Sequence, residues 1–186
     1  MPWVVVGLVL LVLASRQAPG AAPPSIPWTE PARPARWFSW TELDPEGVRT
    51  PETARNLVLL GSQLDRLRDL VGPLRVTSAL RSPTRNEQLV IDRGAAPNSD
   101  HLRGLAADLV SLAALDSLDL ADAVVDLPIP ADQAIYYDQA RGGHLHLGLR
   151  PEGPRLEVRH GVAGTDREEI DPALTADLRA QFGAVA

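Results

Sequence analysis

Over 186 residues, 45% hydrophobic and 23% charged, the chain has the composition of one globular domain with a sizeable core, which excludes wholesale disorder. Acidic residues outnumber basic ones by 24 to 18, for a net charge of -6, which argues against a dedicated nucleic-acid binder with its basic face. Cysteine is absent and every basic residue is arginine, which excludes thiol nucleophiles, disulfides, thiolate metal sites and lysine-based catalysis.

Val4 to Ala14 is almost continuously apolar. The run is shorter than the span of about 20 residues that a membrane helix needs, and has the length of a signal-peptide core. Small residues follow from Ala18 to Pro24, although Met1-Pro2-Trp3 supplies no positive side chain. Residues 1–20 therefore read as an export signal, with a short membrane anchor as the alternative. Residues 21–36 are rich in Pro and Ala and read as a stiff linker. Residues 37–186 form the domain, beginning at Trp37-Phe38-Ser39-Trp40, whose rings are expected to cover part of the core.

Thr50-Pro51 is a helix start, and Leu57, Leu60, Leu64, Leu67 and Val71 lay one apolar stripe on a helix from about Pro51 to Val71. Gly72-Pro73 ends it. Leu74 to Leu80 reads as a strand, and Ser82-Pro83 opens a helix to about Ile91. Residues 93–99 are a loop by composition. Gly104 to Val110 is a helix turn or a buried strand. Asp108 lies among its apolar residues and, if buried, must be paired or metal-bound. Leu118 to Val125 reads as a short helix, Gln133 to Tyr137 and His144 to Leu149 as strands, and Arg155 to His160 as a hairpin strand behind the Pro151–Pro154 turn. Pro172 to Phe182 is a terminal helix. The sum is an α+β domain with a small, mainly antiparallel sheet flanked by helices.

Of four histidines, three fall in two compact motifs: Ser99-Asp100-His101-Leu102-Arg103-Gly104-Leu105-Ala106-Ala107-Asp108, and His144-Leu145-His146. Imidazole nitrogen and carboxylate oxygen are zinc donors, and catalytic zinc commonly keeps three protein ligands. On a strand, His144 and His146 point to one face. A histidine pair on a sheet surface, with Asp108 in a local salt bridge, is the plain alternative. His160 reads as an ordinary strand-end residue. No phosphate-binding loop, dinucleotide fingerprint, zincin helix or G-x-S-x-G frame occurs.

These motifs, in this order, resemble the zinc D-Ala-D-Ala carboxypeptidase family, peptidase family M15, which shares its metal-site fold with the Hedgehog signalling domain. The resemblance runs from roughly Phe38 to Leu149. It rests on Ser78-x-x-Arg81 with the following Ser82-Pro83, on Asn86, on Ser99-x-His101-x-x-Gly104-x-Ala106-x-Asp108, on residues 133–137 and on the His144-Leu145-His146 strand. It implies a Hedgehog/DD-peptidase-like fold in which His101, Asp108 and His146 ligate Zn2+. Arg81 would hold the substrate's terminal carboxylate or stabilise its carbonyl oxygen. Relatives usually carry an acid shortly before the last ligand, but residues 139–145 contain none. The general base implied is then Asp138, returned by a loop through Arg141-Gly142-Gly143, or His144. The implied function is hydrolysis of peptide bonds in peptidoglycan stem or cross-link peptides by an exported D,D-carboxypeptidase or endopeptidase. The alternative is a non-catalytic wall-peptide-binding or structural envelope or phage-associated protein.

Overall fold

The computed structural model describes residues 28–127, 129–138, 143–161 and 168–183. The export segment, residues 139–142 and residues 162–167 lie outside the described residues. None of the described helices is long and apolar enough to cross a membrane.

In chain order come helices α1 (Trp40–Leu43) and α2 (Pro51–Val71), strand β1 (Leu74–Ser78), helix α3 (Pro83–Arg93), a 3-10 turn (Asp100–Arg103) and strand β2 (Ala106–Ser111). Helix α4 (Ser117–Asp126) follows, then strands β3 (Ala131–Tyr137), β4 (Leu145–Leu149), β5 (Glu157–Gly161) and β6 (Glu168–Ile170), and helix α5 (Pro172–Gly183). Thr50 and Thr53 cap each other's backbone amides at the start of α2, with Pro51 in the first turn. The predicted stripe of α2 is the core stripe: Leu57, Leu60, Leu64 and Leu67 are all 0% exposed. Each such leucine contributes about 2 kcal/mol of apolar burial.

The strands form one six-stranded sheet in the order β1-β2-β4-β3-β5-β6. Every pairing is antiparallel except that of β3 with β5. Ala107 and Leu109 of β2, and Leu145 and Leu147 of β4, are fully buried beneath the helices. Asp108 and His146, one residue out of phase, point to the opposite face, because side chains alternate along a strand. That alternation settles the segment around Asp108 as a strand.

Two expectations need correction. The segment after the Pro151–Pro154 turn does not form a hairpin with β4. Both edges of β4 are occupied, by β2 and β3, so the returning chain pairs in parallel with the open edge of β3. Leu156 turns it into β5 with φ +54, a conformation costing about 1 kcal/mol outside glycine. The sequence reading also passes over β6, whose three residues, two of them acidic, carry no strand pattern.

Residues 28–36, read as the end of a spacer, lie against the domain. Pro34 is buried, and Ala35 approaches α2 so closely that a Cβ at Gly61 would stand 2.8 Å from it. Arg49 bridges Glu30 and Asp44 and stacks on Trp40. Phe38 is fully buried, while Trp37 is 43% exposed with Arg36 and Arg68 over its ring.

Candidate metal centre

His101 is carried by the 3-10 turn. The Ser99 hydroxyl accepts from the His101 amide at 3.4 Å, which orders the turn. Gly104 ends it at φ +68, and a Cβ there would stand 3.0 Å from the Thr53 carbonyl oxygen and 3.2 Å from Leu57 Cγ. Glycine is required here both by the left-handed backbone and by the approach to α2. Buried Asn86 on α3 donates to the carbonyls of Ala96 and Pro97 at 3.2 and 3.3 Å, tying down the loop that leads into the turn.

The Nδ1 of His101 donates to the Ala79 carbonyl at 2.7 Å, so in the neutral ring Nε2 carries the lone pair. Burial pushes the His101 pKa down, against the pull of Asp108, and favours that neutral form. Asp108 stands opposite His146 on β4 and Ser78 on β1. Its Oδ1 is 2.8 Å from His146 Nδ1 and 3.3 Å from His101 Nε2. The two ring nitrogens are themselves 3.3 Å apart. Tetrahedral donors at zinc distances of about 2.0–2.2 Å stand about 3.3–3.6 Å from one another. Two sides of the donor triangle, at 3.3 Å, match that spacing. The third, at 2.8 Å, is the hydrogen-bonded His146–Asp108 pair and would open by about 0.5 Å around an ion. All three residues open onto the same cleft.

The second oxygen, Asp108 Oδ2, accepts from Arg81 Nη2 at 2.7 Å, and Arg81 Nε donates to Ser78 Oγ at 2.7 Å. Burial alone would raise the pKa of Asp108, but its contacts with His101 and His146 hold it well below the usual carboxylate range. Burial likewise draws the Arg81 guanidinium below its ordinary value, with Asp108 pulling it back. Arg81 is thus hydrogen-bonded within the site itself, in an ion pair with Asp108.

The cleft has a volume of about 810 Å³. Of the two base candidates, His144 lines it, its ring stacked on Tyr137 at 4.6 Å between centroids. Asp138 is not in the cleft wall; its carbonyl accepts from the Gly143 amide at 2.8 Å where β3 turns toward β4. Most of the loop expected to return Asp138 lies outside the described residues. His160 stacks on Tyr136 at 4.9 Å, away from the cleft. The sequence reading missed Tyr137, Arg103, Arg150, Arg155 and Glu168 in the cleft wall. Only Tyr137 carried a signal, lying two residues from Ile135 in the alternation of β3.

Residues 38–140 match the protein family described as Peptidase M15, more than half of the chain. The chain belongs to the peptidase M15 family. The α+β sheet with its flanking helices agrees with the Hedgehog/DD-peptidase-like architecture of that family. The match takes in His101 and Asp108 and ends before His146, which β4 brings beside them in a group that could hold a metal ion. A search of the curated proteins finds no match.

Proposed function

We propose that the protein is an exported zinc peptidase that hydrolyses peptide bonds in peptidoglycan stem or cross-link peptides. The observation that carries this reading is the donor triangle of His101 Nε2, Asp108 Oδ1 and His146 Nδ1, facing a cleft, in an M15 chain. His101 and His146 offer neutral imidazole nitrogens and Asp108 a carboxylate oxygen, the donor chemistry of catalytic zinc with one open position. A bound zinc ion supplies Lewis acidity to a carbonyl oxygen and acidifies water to a pKa near 7.

This chain's own residues do the rest. Arg81, held by Asp108 and Ser78, presents a fixed positive charge where negative charge develops on the scissile carbonyl oxygen. A ring nitrogen of His144, in the cleft and on the strand face of His146, takes the proton of the attacking water and passes it to the leaving amine. Asp138 is the competing acceptor. Residues 1–20 direct export and residues 21–36 precede the catalytic domain, so that the substrate is met in the periplasm, envelope or medium.

The test is hydrolysis of stem peptides by the full chain after chelation and after zinc is restored. Activity lost on chelation and recovered with zinc supports the reading; activity indifferent to chelation contradicts it. H144A and D138N, both zinc-loaded, separate the two proton acceptors. A loss of about 100-fold or more confined to H144A supports His144, and the reverse pattern transfers the role to Asp138.

A further inference from the structure

The cleft is charged unevenly along its length. Gln133, Ile135 and Tyr137 of β3 line it, and the His146 row, paired with Ile135, lies midway between Gln133 and Tyr137. The five residues from Gln133 to Tyr137, four steps of about 3.3 Å, span about 13 Å.

At the Gln133 end stands a built cationic group. Asp132 has a fully buried side chain and accepts from the Arg155 backbone amide at 3.0 Å, from Arg155 Nε at 3.0 and 3.1 Å, and from Arg155 Nη2 at 2.6 Å. Arg150 Nη2 lies 3.5 Å from the same carboxylate, with its side chain 40% exposed. One buried carboxylate thus fixes two guanidiniums at the cleft wall. Glu157, 4.0 Å from Arg155 Nη1, is itself paired with Arg159 at 2.7 Å. Among these five described side chains cations therefore outnumber anions by three to two, inside a protein of net charge -6.

Among the described residues, the opposite end carries a carboxylate, Glu168. Tyr137, Gly161 and Glu168 lie in one row across β3, β5 and β6. A Cβ at Gly161 would stand 2.1 Å from Tyr137 Cδ1, so the Tyr137 ring lies flat across β5 only because that residue is glycine. The Tyr137 hydroxyl then donates to Glu168 Oε1 at 2.6 Å. The other oxygen of Glu168 makes no hydrogen bond among the described residues, and Glu168 is exposed at the cleft wall.

We infer that this polarity fixes the direction of a bound peptide, with its carboxylate-bearing side over Arg150 and Arg155 and an ammonium group against Glu168. The inference rests on the peptidase reading and narrows its substrate class to peptides charged oppositely on the two sides of the scissile bond. Arg81, 13% exposed and beside the metal donors, is left to the carbonyl oxygen, and the terminal carboxylate falls to Arg150 and Arg155, whose side chains stay 40% and 38% exposed at the Gln133 end. The groups involved lie on β3, β5, β6 and the end of β4. Glu168 and Arg155 fall beyond residues 38–140, so this selectivity belongs to the part of the chain outside the family match.

Three stem pentapeptides ending in D-Ala-D-Ala test the inference: one with a free lysine amine and a free terminal carboxylate, one amidated at the C-terminus, one acetylated on the lysine. The zinc-loaded full chain should prefer the uncapped peptide over either capped one by about tenfold or more in kcat/KM, or in Kd by fluorescence anisotropy. Arg150→Gln should abolish the discrimination against the amide while leaving that against the acetylated peptide, and Glu168→Gln should do the reverse. Equal handling of all three peptides by the wild type, or collapse of both preferences in either variant, overturns the inference. Cleavage without cap dependence sinks this inference and leaves the peptidase reading standing. Cap-dependent binding without cleavage of any peptide does the opposite.

Discussion

Asp108→Asn removes the carboxylate on which the centre converges. Asp108 Oδ1 lies within 3.3 Å of both ligand nitrogens and Oδ2 holds Arg81 at 2.7 Å, with both side chains only 13% exposed. Loss of a partner that merely orients a ligand costs about 10–100-fold in metal affinity. Loss of a charged ligand should exceed the upper figure, equivalent to about 2.7 kcal/mol or more. The same change strands Arg81. Breaking a buried pair costs about 3–5 kcal/mol, but the asparagine oxygen can still accept one guanidinium N–H, which brings the metal-free cost to about 2–3 kcal/mol. For a domain of this size that lowers Tm by about 4–12 °C. Zinc competition against a chromophoric chelator reads the first effect, and thermal melting in excess chelator reads the second. A D108N protein that binds zinc within a few fold of wild type and melts with it would refute the assignment of Asp108 as ligand and anchor.

Gly104→Ala should cost about 1–2 kcal/mol for its left-handed backbone, and the approach to Thr53 and Leu57 should displace His101; melting and zinc titration should both report a loss. Arg81→Ala, zinc-loaded, should keep its metal but lose about 100-fold or more in kcat, measured on a stem peptide at saturating concentration. Asp132→Asn should cost about 2 kcal/mol, less than a fully buried pair because Arg155 is 38% exposed. Burial raises the pKa of Asp132, but the hydrogen bonds and charge of Arg155 bring it below its ordinary value. A depressed carboxylate stabilises the fold above its unfolded pKa of about 3.9, and that contribution fades as pH falls through the lower folded value. Urea denaturation of the metal-free protein between pH 7 and 2 should therefore show an acid-side loss in wild type that is smaller in D132N.

The helix stripe was legible because it depends on short-range pattern: Leu57, Leu60, Leu64 and Leu67 repeat at helical spacing. The grouping of His101, Asp108 and His146 was implied by the family resemblance, since the two motifs by themselves do not separate His144 from His146, and the structure brings the three together. The segment from Gly104 to Val110 was ambiguous because so short a run, apolar around one carboxylate, satisfies either period, and only its place between β1 and β4 decides. The partner of β5 was hidden because it depends on β4 having no open edge. Arg150, Arg155 and Glu168 were invisible for the same reason: a crossover and a three-residue edge strand bring them to the cleft. Gly161 reads as an unremarkable glycine until the Tyr137 ring is seen across it.

The central claim is that His101, Asp108 and His146 hold a zinc ion that makes this chain a wall-peptide hydrolase. Defined muropeptides, incubated with equal amounts of zinc-treated wild type and of a folded H101A/H146A variant, test it when the products are weighed by mass spectrometry. The account predicts loss of terminal D-alanine, or separation of cross-linked peptides, with wild type alone. No product from zinc-loaded wild type, or equal product from both proteins, would contradict it.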